Sequence, residues 1–383
     1  MLSKERNDRL TRIGPGTPAG NLLRRYWQPI CAVNELTDEK PSKRVKIMHE
    51  NLVIFRLPDD TYVCLEENCA HRACSLYFGF LEKGGVRCPY HGWKFDKEGC
   101  VVEQPFEPPT SSTLGQKLQK AYPVEQLGGL LFIYMGPAPA PLLPRWDVLV
   151  RDDGARKIQY RPDLNCNWLQ IQENTADTTH TYYLHGQISI NKGLRSGNTD
   201  YYYRPIVKYD FDYCEWGIDK TCTYGGDVPD EERRPPLIFP NILRIPEGRN
   251  ENMHWRVPID DTHTRLIMVS FQPGKEYLAD KNVPVEFMPD DLLPNGEYML
   301  TNFASQDRMA WETQGPIHDR QREHLGASDK GVVMLRRLLE QQIKIVEDGG
   351  EPMALVRDPA KNKIIEFTSH TINRLEPAGS VGR

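Results

Sequence analysis

Cys69-Ala-His71 and Cys88-Pro-Tyr-His91 decide how this sequence is read. The two motifs are separated by 16 residues, and each pairs one thiolate with one imidazole. Two ligands from each of two loops can clasp a compact [2Fe–2S] cluster from opposite sides. Thiolates suit the buried iron. Neutral imidazoles suit the outer one and raise the reduction potential above that of an all-cysteine cluster. Their ring edges can pass an electron outward. The competing reading is a zinc site, but zinc knuckles join Cys-x-x-Cys to a later pair of histidines, and here each half is mixed.

Around these loops the signal is short strands, from about residue 43 to 135. Leu52-Val-Ile-Phe55 and Tyr62-Val-Cys-Leu65 flank Pro58-Asp-Asp60 and read as a hairpin. Gly128 to Tyr134 reads as another apolar strand. Residues 136–144 are a stiff Pro-rich connector. That places an all-β domain at 1–145 and a second domain at 146–383. Upstream, the glycines and prolines of residues 14–20 argue for a lead-in loop and against a regular element. Their spacing is not a dinucleotide fingerprint either. Downstream, 165–185 reads as a helix with Asn165 or Asn167 as cap and Gly186 as stop. Strand-like runs fill 200–275, including Leu266 to Phe271. Val332, Leu335, Leu339 and Val346 recur at helical spacing, with Ser328 as cap and Gly349-Gly350 as stop. The tail past about 373 is expected to fray.

A second constellation lies in the 165–185 helix. Residues 173–185 read Glu-Asn-Thr-Ala-Asp-Thr-Thr-His-Thr-Tyr-Tyr-Leu-His. Asp177 and His180 are three apart and share a helix face. His185 is five beyond His180, about 140° round an ideal helix. Both can bind one iron only if the helix is distorted or ends there. Two histidines and one carboxylate form the facial triad of non-haem Fe(II) oxygenases, which leaves positions open for O₂. The carboxylate must come from elsewhere, and spacing does not separate Asp307, the residue chosen, from Glu312 and Asp319.

The bulk properties fit this reading. Lys plus Arg is 48 and Asp plus Glu is 53, a net charge of −5 over 383 residues. That balance gives no reason to expect nucleic acid or an anionic membrane as partner. No stretch approaches the roughly 20 apolar residues of a membrane span. The charged start, Met1 to Asp8, lacks the apolar run of a signal peptide, so a cytoplasmic location is expected. Nine scattered cysteines are not a secreted disulfide framework.

These residues resemble a family: the catalytic alpha subunits of Rieske non-haem iron oxygenases, in their phthalate dioxygenase-like branch. The similarity runs over almost the whole chain. It includes Leu10 to Pro18, Cys88-Pro-Tyr-His-Gly-Trp93, Asn167-Trp168 through His185, Gln314-Gly-Pro-Ile-His-Asp-Arg320 and Leu325 to Asp329. The resemblance implies an α+β fold, a Rieske β domain followed by a helix-grip domain of antiparallel sheet and helices. It implies a [2Fe–2S] cluster on Cys69, His71, Cys88 and His91, and mononuclear Fe(II) on His180, His185 and Asp307. It makes Asp177 the link between the two metal sites, and Asn174 a neighbour of the iron. It implies head-to-tail homotrimers, sometimes stacked, with Asp177 between His91 of one chain and His180 of the next. Cys69-x-His-x-x-Cys74 is also similar to respiratory-chain Rieske proteins, whose buttressing disulfide needs a cysteine where Tyr90 stands. A lower-potential cluster without a disulfide is therefore expected.

The activity implied is O₂-dependent mono- or dihydroxylation, or oxidative demethylation, of an aromatic and acidic small molecule. Electrons would come from a separate NAD(P)H-linked, flavin-dependent reductase, since the chain shows no flavin or nicotinamide fingerprint. The alternative is a Rieske electron carrier, for which about 100 residues would suffice. Roughly 240 more, carrying a coherent triad, argue against it. Arg195, Arg204 and Arg244 could each pair with a substrate carboxylate, and Tyr201-Tyr-Tyr203 could stack on a ring, though packing roles are commoner for both.

Overall fold

The computed structural model describes residues 2–194, 200–226, 230–247, 250–367 and 370–374. The α+β expectation holds: an all-β N-terminal domain precedes a domain of sheet and helices. Among the described residues, no helix is long and apolar enough to cross a membrane.

The expected hairpin is present, with Arg56 opposite Tyr62 and Asp60 at φ 61° in the turn. Its strands, Glu50–Arg56 and Tyr62–Glu66, form a four-stranded sheet with Ser42–Ile47 and Ala121–Tyr122. Successive strand side chains point to opposite faces, and here both faces are covered. Leu52, Ile54 and Cys64 join the main core. Val53, Phe55, Val63 and Leu65 join a second core that contains Cys69 and Cys88. The sheet is thus the wall between the cluster loops and the rest of the molecule. A second sheet, Phe80–Glu82, Gly85–Arg87, Lys94–Phe95 and Val101–Glu103, carries the other ligand loop. A third joins Gln28–Ala32 to Leu130–Ile133 and Val124–Leu127.

The C-terminal domain is built on a nine-stranded sheet. Six strands between Ile206 and Pro273 follow one another as antiparallel neighbours. Gly154–Tyr160 then pairs with His263–Pro273, and Val285–Phe287 adds the one parallel pairing on that path. The helices Trp168–Ala176 and Lys330–Glu347 pack together on it. The latter ends as expected, with Gly349 at φ 81°, but its N-cap is Asp329 in place of Ser328.

Two further sequence expectations fail. The lead-in is helical, over Lys4–Thr11 and Pro18–Leu23. Pro18 sits in the first turn, where its missing N–H costs nothing, and the Thr17 hydroxyl accepts from the Gly20 amide at 3.2 Å. Both helices lie against Lys330–Glu347, with Arg6 bidentate to Glu340 at 2.8 Å. The 165–185 segment is also not one helix. Asn167 caps it as expected, but it ends at Ala176, and a π-helical turn spans Thr181–Gln187. Gly186 is no stop. It lies inside that turn, and the Tyr202 carbonyl oxygen would be 2.1 Å from any Cβ placed there.

Candidate functional site

The first ligand loop follows the Tyr62–Glu66 strand. It is closed by Cys69 N–H donating to the Cys74 carbonyl at 2.9 Å and by Ala73 N–H donating to Cys69 at 2.8 Å. Gln119, which no sequence motif singles out, pins it. Its side-chain oxygen accepts from Ala70 N–H at 2.7 Å, and its amide donates to the carbonyls of Glu66 and Asn68. In the second loop Cys88 N–H donates to Trp93, and Gly92 turns at φ 76° against Pro105. The two cysteines are buried, while His71 and His91 are partly exposed. The two imidazoles meet edge to face at 4.6 Å, and His71 stacks flat on Trp93 at 4.5 Å.

This arrangement fits a cluster. Burial, with Cys88 alongside, pushes the Cys69 thiol well up, so its sulfur becomes a thiolate only beside a cation such as iron. Desolvation, then His71 and Arg72, hold His91 down, which favours the neutral ligand form. Cys74 is a free thiol.

The second site forms where the Trp168–Ala176 helix breaks. Asp177 leaves the helix in extended backbone. Its Oδ1 accepts from the Thr179 amide and hydroxyl, both at 2.8 Å, which fixes the turn. Its Oδ2 lies 3.4 Å from His180 Nδ1. Burial pushes the Asp177 carboxyl up, but His180 and Thr179 outweigh it, so it stays below its usual value. The π turn then returns His185 to the same side as His180, because its bonds close every fifth residue. Their rings are 5.2 Å apart.

Asp307 comes from the Phe303–Glu312 helix. Its Oδ1 is 3.4 Å from His185 Nε2 and 4.0 Å from His180 Nε2, and it is buried without a hydrogen-bond partner. Ligand atoms of the three residues lie within 4.8 Å of one another, the one such set of three or more among the described residues. The rival carboxylates are elsewhere. Glu312 accepts from Asn165 N–H, Arg308 and Tyr298, and exposed Asp319 accepts from Gln321 N–H.

Gln306, also missed in the sequence, orients His185. Its amide donates to the Ser189 hydroxyl and the Leu300 carbonyl, so its oxygen faces His185 Nδ1 at 3.0 Å. That places the proton on Nδ1 and makes the Nε2 lone pair the one that would ligate a metal, the usual outer support of a ligating histidine. The orphaned Asp307 oxygen and this lone pair are what a divalent ion would satisfy.

The three residues line a cavity of about 550 Å³, together with Asn174 and Asp177. Tyr202 and Phe303 pack edge to face at 4.7 Å beside His185. His254, which also lines the cavity, is pushed down to about 3 by burial, then by Arg256 and Arg161, so it is a neutral imidazole. Two of the three arginines singled out earlier are tied into the fold. Arg204 donates to the carbonyls of Gly225 and Tyr224. Arg244 is buried between Asp147, at 2.9 Å, and Glu251. Arg195 lies outside the described residues, as does the Tyr201 side chain.

Comparison with known proteins agrees. Residues 26–123 match the Rieske [2Fe-2S] domain, and residues 281–372 match the LigXa C-terminal domain like family. The chain is 39% identical to the 5,5'-dehydrodivanillate O-demethylase oxygenase subunit of Sphingobium sp. (strain NBRC 103272 / SYK-6), over 98% of this chain and 88% of that one. The chain belongs to the Rieske non-haem iron oxygenases. It is also 29% identical to the phthalate 4,5-dioxygenase oxygenase subunit of Pseudomonas putida, over 96% and 92% of the two chains. Its fold matches the oxygenase in the oxygenase–ferredoxin complex of carbazole 1,9a-dioxygenase, with a TM-score of 0.60 at 20% identity, covering 88% and 94%. The [2Fe–2S] cluster and the mononuclear iron are therefore its cofactors, and oxygenation is its class of activity.

Proposed function

We propose that the chain is the oxygenase component of an aromatic-acid O-demethylase. The observation that carries this is the convergence of His180, His185 and Asp307 at the wall of a 550 Å³ cavity. A carrier of electrons has no use for such a cavity. The relative sharing 39% identity over nearly the whole chain is an O-demethylase component, which favours demethylation over ring hydroxylation. The balanced reaction is ArOCH₃ + O₂ + NAD(P)H + H⁺ → ArOH + HCHO + H₂O + NAD(P)⁺. The two electrons come from a separate flavin-dependent reductase, which the chain needs because it has no nucleotide-binding fingerprint of its own.

Cys69, His71, Cys88 and His91 would hold the cluster, and His180, His185 and Asp307 the mononuclear iron. When bound, these groups supply electrons one at a time and the site at which O₂ is reduced. The chain does the rest. Gln306 and Asp177 hold the two imidazoles in orientation. Tyr202 and Phe303 offer aromatic faces to the substrate ring. Asn174 borders the same space.

The family resemblance supports a head-to-tail trimer in which Asp177 meets His91 of a second copy, through a heterologous, closing interface. The test is a panel of methoxybenzoates and unsubstituted aromatic acids, scored by substrate-stimulated O₂ uptake and formaldehyde release. Formaldehyde in step with O₂ is expected. A dihydrodiol without formaldehyde would replace demethylation with dioxygenation, and no O₂ uptake at all would sink the oxygenase assignment.

A further inference from the structure

Seven arginines are buried among the described residues, and six of them have evident structural partners. Arg24, Arg244, Arg308, Arg320 and Arg336 each pair with one or two carboxylates. Arg156 donates to the Val148 and Arg151 carbonyls and lies over the rings of Phe271 and Tyr277. Arg256 is the exception. It is 2% exposed, yet among the described residues its one hydrogen bond runs from Nη1 to the His254 carbonyl of its own strand, at 3.4 Å. Its Nε has no partner there, and its charge has no ion pair. A buried charge of this kind opposes folding, and one long bond to a carbonyl does not offset it.

The position of Arg256 decides what its charge faces. It lies on the Asn250–Asp260 strand two residues beyond His254, so both side chains leave the same face of the sheet. On the neighbouring strand Met268 stands opposite His254, and Leu266 stands opposite Arg256. His254, Met268 and Leu266 line a void of about 70 Å³ whose wall also includes Asp307. Arg256 therefore sits behind the cavity floor, on the side of the proposed iron carboxylate. Burial pushes its guanidinium down to about 9, and Asp307 is the charge that opposes this. It is still a cation at pH 7. Its field also reaches into the cavity, where it is the larger of the two arginine charges that hold His254 neutral.

We propose that Arg256 is retained for its charge, which raises the reduction potential of the iron held by His180, His185 and Asp307. A fixed positive charge disfavours Fe(III) more than Fe(II), and the net charge around an iron centre is one of the levers that set its potential. The ferrous form is the one a non-haem oxygenase of this type uses. Arg256 acts at a distance, through its field at Asp307, and not as a catalytic group. The inference rests on the assignment of iron to these three residues, and its test separates the two.

Arg256→Met keeps most of the bulk and removes the charge. In a redox titration of the holoenzyme, it should shift the mononuclear Fe(III)/Fe(II) equilibrium about tenfold toward Fe(III), about 59 mV for one electron. The cluster's potential in the same sample should be unchanged. Zn(II), which has no redox chemistry, should bind the iron-depleted site about tenfold more tightly in the variant. Arg256→Gln should shift both readings the same way, and Arg256→Lys should restore them. The melting temperature of Arg256→Met should equal or exceed that of the native protein, since an apolar chain replaces an unpaired buried charge. An unchanged mononuclear potential and unchanged Zn(II) affinity in both neutral variants would overturn the role of Arg256 and leave the iron site intact. So would an Arg256→Lys variant that behaves like Arg256→Met. Native holoenzyme with no iron beyond that of the cluster would overturn the iron site, and the role of Arg256 with it.

Discussion

His180 Nδ1 faces Asp177 Oδ2 at 3.4 Å across the break between the Trp168–Ala176 helix and the π turn. The other oxygen of Asp177 is held by Thr179, so the carboxylate cannot swing away without undoing the turn. Asp177→Asn keeps the shape and removes the charge. The variant should retain both metal centres, judged by iron content and the cluster's visible spectrum, while coupled turnover falls ~10–100-fold. Full coupled turnover with both centres loaded would rule out Asp177 as the electron link.

Gln306 gives a contrasting case, because it supports a ligand and not the link. Gln306→Leu removes the acceptor for His185 Nδ1–H in a fully buried setting. Mononuclear iron affinity should drop ~10–100-fold, as for other outer partners of metal ligands. Iron per chain would fall toward what the cluster alone accounts for, while the cluster spectrum stays intact. Unchanged iron content at limiting metal would show that His185 is held by packing alone.

The two sites differ in how far the sequence discloses them. Cys69, His71, Cys88 and His91 are legible because strand–loop–strand units bring ligands close in sequence close in space. His180 and His185 are legible as residues, but their shared orientation is not. It depends on a π turn, which Gly186 permits because the Tyr202 carbonyl occupies the place of its missing Cβ. Nothing within a few residues of Gly186 signals that contact. Gln119 and Gln306 are hidden for the same reason. Each acts on a loop dozens of residues away, so its role exists only once the chain has folded. The lead-in helices show a different failure: Pro18 reads as a breaker, yet at the first turn it is a starter.

Gln119 makes a prediction for the cluster itself. It is buried and holds the first ligand loop by three hydrogen bonds, at 2.7, 2.9 and 3.1 Å. Gln119→Leu leaves one amide and two carbonyls without these partners, at ~1–3 kcal/mol for a buried unsatisfied group. The cluster should bleach faster under a chelator, with mononuclear iron unaffected. Equal bleaching rates would mean the loop is set by its own backbone bonds.

The last prediction concerns acid. Glu173 is buried in the helix that positions Asn174 and Asp177, and it accepts from Arg320 at 2.6 and 2.9 Å and from Arg336 at 2.6 Å. Arg336 continues to Glu323. Burial works against both carboxylates, but their cationic neighbours prevail. For Glu173 these are Arg320 and Arg336; for Glu323, His318 and Arg336 hold the pKa down to about 2. The unfolded chain titrates these groups near the ordinary value of 4.5, so below that pH it binds protons that the folded chain refuses. Stability from this network is therefore whole above pH 4.5 and drains away as pH falls toward 2. Arg336→Met removes the shared cation, and breaking a buried pair costs ~3–5 kcal/mol because an uncompensated charge remains. Thermal unfolding followed from pH 7 to 3 should show the variant less stable at neutrality and with a shallower acid limb than the native protein. A parallel downward shift at every pH would assign the loss to the packing of the Arg336 stem, with no part for the ion pairs.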